Sequence, residues 1–230
     1  MEVKILEFAE GAEKAEGVAV IIDVFRAFSV ACYAFDGGAR RIIATESISE
    51  AFSLKKVLKN SILIGERDEK KIDGFDLGNS PTEIIKTNIE GKTIIQTTTS
   101  GTKGLVNAKN ADIILTGSLV NSDAIVQYIK YLNPEHVSLV AMGYRAFQSA
   151  EEDLLCAEII SAGLKNKSKI SGQKIAGLQH TSGKRFFDPN NIDFSPPSDF
   201  FLCTMTDRFN FVIKAIRRSD GNVELFRLDV

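Results

Sequence analysis

The chain has 230 residues, 44% apolar and 25% charged, an ordinary globular composition that excludes disorder. Its formal net charge of -2 excludes a bulk basic field for nucleic acid or an anionic membrane, so an anionic ligand must be met by local positive groups. Three cysteines without CxxC spacing, Cys32, Cys156 and Cys203, point to free buried thiols in a reducing, cytoplasmic setting rather than to disulfides or zinc. The acidic N-terminus lacks the apolar core of a signal peptide, and no apolar run approaches the ~18 residues of a membrane helix.

In chain order, the first strong signal is the apolar run VAVII at residues 18–22, which predicts a strand buried on both faces. Asp23 and Arg26 follow it. A carboxylate at a strand end can bind Mg²⁺ or attack phosphorus, and an arginine three residues on can clamp an acid group. Asp23 is equally well placed to cap the next helix. A strand is expected over 42–44 and a helix over 49–59, from Ala51, Leu54, Val57 and Leu58. The strand at 61–64 runs into Gly65-Glu66-Arg67, where Arg67 is either a second anion clamp or half of a solvated pair.

The loop GFDLGNSP at 74–81 offers backbone donors, Asn79 and Ser80, with Ser80-Pro81 as a helix start. The strand at 93–95 continues into Thr97, Thr98, Thr99, Ser100, Gly101 and Thr102, a hydroxyl-rich loop before a helix and a candidate oxyanion cradle. The absence of GxxxxGK[ST] excludes a nucleotide P-loop. Ser118 and Asn121 repeat the theme after the strand at 113–115, ahead of a helix over 122–132. A strand at 137–141 precedes Glu151, Glu152 and Asp153 at the start of a helix over 151–165, where acids suit the dipole or supply a metal ligand or general acid. With only two histidines, His136 and His180, a hard cation held by carboxylates is the natural metal.

After about residue 168 the texture changes. SPPSD at 195–199 reads as a turn or linker, and SDGN near the end as a tight turn between two antiparallel strands. The alternation predicts an α/β fold: three layers, α/β/α, around a mostly parallel sheet, with a C-terminal antiparallel hairpin. Residues 1–230 are read as a single domain that could divide into lobes 1–168 and 169–230.

DVFRAFS, GER, GFDLGNSP, TTTSGT, GSLVN and EED, in this order and at strand ends, closely resemble the 2-phosphosulfolactate phosphatase family over roughly the first two thirds of the chain, and only loosely beyond. The resemblance implies a Mg²⁺-dependent phosphatase of coenzyme M biosynthesis that releases sulfolactate and phosphate. It places Asp23, Arg26 and Arg67 in catalysis. Asn79, Ser80, Thr97 to Thr102, Ser118 and Asn121 fall to substrate binding, and Asp23, Glu152 and Asp153 to the metal. Phe25, Phe28 and Ser100 depart from the family's pattern and are expected to reshape the pocket. Asp23 is either nucleophile or metal ligand. The alternative is a non-catalytic binder of a small organic acid or sulfonate. No nucleic-acid or membrane partner is expected, and a homodimer is left open.

Overall fold

A computed structural model describes residues 1–167 and 171–230; the texture boundary near residue 168 lies outside the described residues. Strand β1 (Glu2–Glu7) leads through α1 (Phe8–Glu13) to β2 (Gly17–Ile22), and α2 (Ala27–Asp36) to β3 (Arg41–Ala44). Then come α3 (Ile48–Val57), β4 (Ser61–Arg67), the two-residue β5 (Lys70–Lys71) and α4 (Pro81–Ile85). The chain continues with β6 (Thr93–Thr97), α5 (Gly101–Asn107), β7 (Ala111–Gly117), α6 (Ser122–Leu132), β8 (His136–Ala141) and α7 (Glu151–Leu164). It ends with α8 (Gly172–Gly177), short 3₁₀ turns, α9 (Pro197–Thr204) and the hairpin β9 (Phe211–Arg217) and β10 (Val223–Asp229).

The expected strands and helices are present at or near their expected positions. Among the described residues the sheet has ten strands in the order β1-β8-β2-β7-β9-β10-β3-β6-β4-β5. Alternate strand residues feed opposite faces, as period-2 geometry requires. Ala19, Ile21, Ile42, Ile62 and Ile64 join one cluster with α2 and α5, whereas Val18, Val20 and Ile22 pack with α6 and α7 on the other face. Ile43, Leu63 and Ile95 continue that second face under α3. This is the three-layer arrangement around a mostly parallel sheet.

The hairpin has a location that patterning did not indicate. It is the middle of the sheet: β9 pairs antiparallel with β7, and β10 with β3. Its connection spans five residues, Arg218 to Asn222, with Gly221 at φ +85°, rather than a two-residue turn. β1, β8, β2 and β7 are mutually parallel, as are β3, β6 and β4. Three antiparallel steps separate the groups, so they run in opposite senses, and on a flat sheet their carboxyl ends would lie at opposite edges. Twist of about 20–25° per pair accumulates to roughly 100–125° over the five steps from β2 to β6. That rotation swings the two sets of strand ends towards each other around α2.

Helix α2 is the axle of this arrangement. Every residue from Ala27 to Phe35 is buried. It therefore has no polar face and no amphipathic period. Each fully buried side chain such as Phe28 contributes about 1.5–3 kcal/mol, so packing rather than propensity holds the helix. Residues 195–199, expected as a turn or linker, instead enter α9, with Pro197 as its first residue and Asp199 fully buried. Pro at a first helical position is well tolerated, and that made the helix start look like a turn. The three cysteines are free and buried, as expected. No helix among the described residues is long and apolar enough to cross a membrane.

Candidate active site

The converging strand ends form a partly open cleft with a cavity volume of about 50 Å³. It is lined by Asp23 and Arg26 after β2, Glu66 at the end of β4, Asn79 before α4, Thr99 and Ser100 after β6, and Glu152 and Asp153 at the start of α7. Arg185, Arg145 and the Asp68–Glu69 turn complete it.

The two oxygens of Asp23 have different surroundings. Its Oδ1 accepts the Ala27 N–H at 3.0 Å and so caps the start of α2. Oδ2 faces Gly101, where a Cβ would stand 3.0 Å from it and 2.8 Å from Ala27 Cβ. Only glycine lets the two strand ends approach this closely. Gly101→Ala is therefore expected to cost about 1–3 kcal/mol in stability and to displace Asp23, read as a lower unfolding midpoint together with lost activity.

Asp153 accepts the Val24 N–H at 2.8 Å and the Gly143 N–H at 2.9 Å, tying the loop after β2 to the loop after β8. Gly143 adopts φ +69°, and a Cβ there would lie 2.3 Å from the Gln148 carbonyl. Glu152 is buried, and its Oε2 has no hydrogen-bond partner among the described residues. Glu66 Oε1 accepts the Thr99 N–H and its Oε2 the Glu69 N–H.

These carboxylates disturb one another. Burial pushes the Asp23 pKa from 3.8 up to about 6; the Ala27 N–H opposes the shift, and the charges of Glu66 and Glu152 add to it. Burial also raises Glu152, against Arg185, and raises Asp153 well above the usual carboxylate range with help from Glu152 and Asp23. Crowded, desolvated acids of this kind mark functional sites.

The arginines are committed elsewhere. Arg26 is buried and donates from Nη1 to Asp199 at 2.7 Å and to the Phe194 carbonyl at 2.6 Å. Arg185 pairs with Glu69 at 2.6 Å, donates to the Phe25 carbonyl, and lies over the rings of Phe25 and Phe186. Arg145 pairs with Asp68.

Several residues singled out in the sequence lie elsewhere. Arg67 points away from the cleft and donates to the carbonyls of Glu66 and Glu46; strand alternation puts its neighbour Glu66 inside instead. Thr98 and Thr102 exchange hydrogen bonds across the start of α5, and Thr97 is fully buried at the end of β6. Ser80 caps α4 and donates to Asp199. Ser118 and Asn121 are fully buried beneath the site, where Ser118 contacts Ser29 and the two cap each other's turn. Of the two bulky departures, Phe25 lines the cleft, while Phe28 is buried in the core against Gly101. Glu66, Arg145, Arg185 and the Asp68–Glu69 turn escaped the sequence reading. Only the Glu66-Arg67 pair carried a signal, and of its two members it is Glu66, not Arg67, that lines the cleft.

A divalent cation can be tested against this donor set. Among the described residues no group of three or more His, Cys, Asp or Glu side chains forms a ready-made cage. Mg²⁺, however, is commonly held by one or two carboxylates together with waters and substrate phosphate. Among the described residues, Glu152 Oε2 has no partner and Asp23 accepts the Ala27 N–H through Oδ1 alone, which fits that pattern, whereas both Asp153 oxygens are already engaged by backbone.

A family model described as 2-phosphosulpholactate phosphatase matches residues 5–194, further than the motifs alone extended. The chain is similar to a probable 2-phosphosulfolactate phosphatase of Bacillus subtilis, 33% identical over 208 residues, covering 89% of this chain and 88% of the relative. Probable 2-phosphosulfolactate phosphatases of Caldicellulosiruptor saccharolyticus and Carboxydothermus hydrogenoformans are 36% and 40% identical. The former alignment covers 82% of both chains; the latter covers 74% of this chain and 70% of the relative.

Proposed function

We propose that this chain, which belongs to the 2-phosphosulfolactate phosphatase family, hydrolyses 2-phosphosulfolactate, or a closely related small acidic phosphate ester, to sulfolactate and phosphate. Mg²⁺ is its metal, and coenzyme M biosynthesis in the cytoplasm is its setting. The charge balance of the cleft carries this reading. Asp199, Glu69 and Asp68 pair with the three arginines that line it, leaving Asp23, Glu66, Glu152 and Asp153 as an excess of buried acid. A simple anion-binding protein would present the opposite balance. An acidic cleft accepts a polyanion only with a cation between them, because buried charge must be compensated.

Asp23 and Glu152 would hold Mg²⁺, which when bound supplies the positive charge that neutralises phosphate oxygens. Asp153 acts through the backbone: by accepting from Val24 and Gly143 it fixes the loop that carries Asp23. Arg185 is oriented by the Phe25 carbonyl and the two rings, with its Nε towards no protein acceptor among the described residues. Thr99 Oγ1, also buried without a partner there, offers a further hydroxyl donor. Asp23 Oδ2 is the carboxylate oxygen that would attack phosphorus or bind the metal.

The test is phosphate release by the purified protein from 2-phosphosulfolactate and from simple phosphate monoesters, with Mg²⁺ or with EDTA. The expected result is Mg²⁺-dependent release that is fastest with 2-phosphosulfolactate. Absence of release with the metal present would overturn the function; undiminished release in EDTA would overturn the role of the metal.

A further inference from the structure

The three arginines of the cleft come from distant segments: the loop after β2, the loop after β8 and the 3₁₀ turn at Ser182–Phe187. All three nevertheless converge on one dipeptide, Asp68–Glu69. Arg145 pairs with the Asp68 carboxylate, Arg185 with the Glu69 carboxylate at 2.6 Å, and Arg26 Nη2 donates to the Glu69 carbonyl at 3.4 Å. Backbone preference tolerates aspartate at the first of these positions but does not favour glutamate at the second. Asp68 and Glu69 have φ of +52° and +69°, the left-handed values of the two central residues in a primed hairpin turn. Asn-Gly or Asp-Gly is the easy choice for such a turn, and glutamate is a poor one.

The turn's own strand ladder is short, and the Glu69 N–H is taken by Glu66 Oε2 at 2.9 Å. The turn joins β4 to β5, whose two exposed residues pair, among the described residues, with Glu66 and Arg67. At the same place Arg185 Nε and Thr99 Oγ1 are buried donors with no partner among the described residues. A set of cationic and hydroxyl donors gathered around two of the chain's own carboxylates is what a binding site for a small polyacid looks like when the chain's own acids fill it.

We infer that the Asp68–Glu69 turn is an internal stand-in for substrate: the acid groups that do not react exchange with it for Arg145 and Arg185, and these two arginines are the anchors of those groups. The identity of the acids as carboxylate and sulfonate rests on the proposed function; the exchange itself does not. An ordinary structural pair and a competing pair differ in sign. Removing one partner of a structural pair loosens the site, whereas removing a competitor frees its arginine for ligand.

The experiment measures the affinity for inorganic sulfate by titration calorimetry, and KM for 2-phosphosulfolactate, in wild type, Asp68→Asn, Glu69→Gln, Arg145→Ala and Arg185→Ala. Asp68→Asn and Glu69→Gln should each tighten sulfate binding by about two- to fivefold, the range that weak ion pairs are worth, and lower KM. Arg145→Ala and Arg185→Ala should weaken it, and Asp68→Asn should give no gain in the Arg145→Ala background. Unchanged or weaker sulfate binding in Asp68→Asn and Glu69→Gln would overturn the inference, and these near-isosteric changes, the first at an exposed side chain, decide it even if an arginine variant does not fold. Failure of wild type to release phosphate would count against the proposed function alone, since the sulfate affinities would still rank the variants.

Discussion

Asp23→Asn is expected to reduce phosphate release by at least about 10³-fold, equivalent to roughly 4 kcal/mol of transition-state stabilisation, with little change in fold. Asparagine keeps an acceptor for the Ala27 N–H that Asp23 Oδ1 now receives, so the cap on α2 survives. What disappears is the second anionic oxygen beside Gly101. A rapid-quench search for acid-stable phosphoprotein, lost in Asp23→Asn, would assign Asp23 as the nucleophile; loss of activity and of Mg²⁺ affinity without such a species in wild type would assign it to the metal. Full activity in this variant would remove Asp23 from the site altogether.

The same residue makes stability depend on pH in a definite direction. In the metal-free protein the folded pKa of Asp23 is about 6, against 3.8 ordinarily. A raised pKa means that the folded state holds the proton more tightly. Its contribution is therefore fully present below pH 4 and is lost as pH rises through about 6, by up to about 3 kcal/mol. Glu152 and Asp153 are shifted in the same direction. Denaturant midpoints without metal should fall between pH 4 and pH 7, Asp23→Asn should flatten the fall, and Mg²⁺ should restore the loss at pH 7 because metal binding favours the ionised carboxylates.

The largest effect on stability is expected at Asp199. It is fully buried, accepts from Arg26 at 2.7 Å, and binds the Ser80 hydroxyl and Thr82 N–H through its other oxygen. One carboxylate thus joins α9, the start of α4 and the arginine of the DVFR segment. Asp199→Ala would strand a buried guanidinium and two hydrogen-bond donors, at a cost of about 3–5 kcal/mol. Urea denaturation measures the loss. Combining it with Arg26→Met should recover most of the stability, since a missing pair costs less than half a pair, while phosphate release stays low. If Asp199→Ala alone cost less than about 1 kcal/mol, the pair would not be the clamp described. Asp199 lies beyond the residues matched by the family model, in a segment whose two prolines read as a linker.

Chain chemistry alone determined which stretches become strands and where polar loops follow them. Runs such as VAVII and VSLVA, buried on both faces in the sheet, carry their signal in consecutive residues. Asp23, Arg26, Asn79, Thr99, Ser100, Glu152 and Asp153 were legible for a related reason: each lies just after a strand or at the start of a helix, where ligands of parallel sheets are met. Tertiary structure decided the rest. Which side chain of Glu66-Arg67 enters the cleft depends on strand facing, which a two-residue motif does not encode. Arg145 and Arg185 meet the Asp68–Glu69 turn across 77 and 116 residues of chain, and Arg26 meets Asp199 across 173. The turn belongs to the second parallel group, which the central antiparallel hairpin reverses and sheet twist brings back towards the first, while Asp199 reaches Arg26 from α9. Local pattern can place a residue at a strand end; only the coiled sheet determines which strand ends share a site.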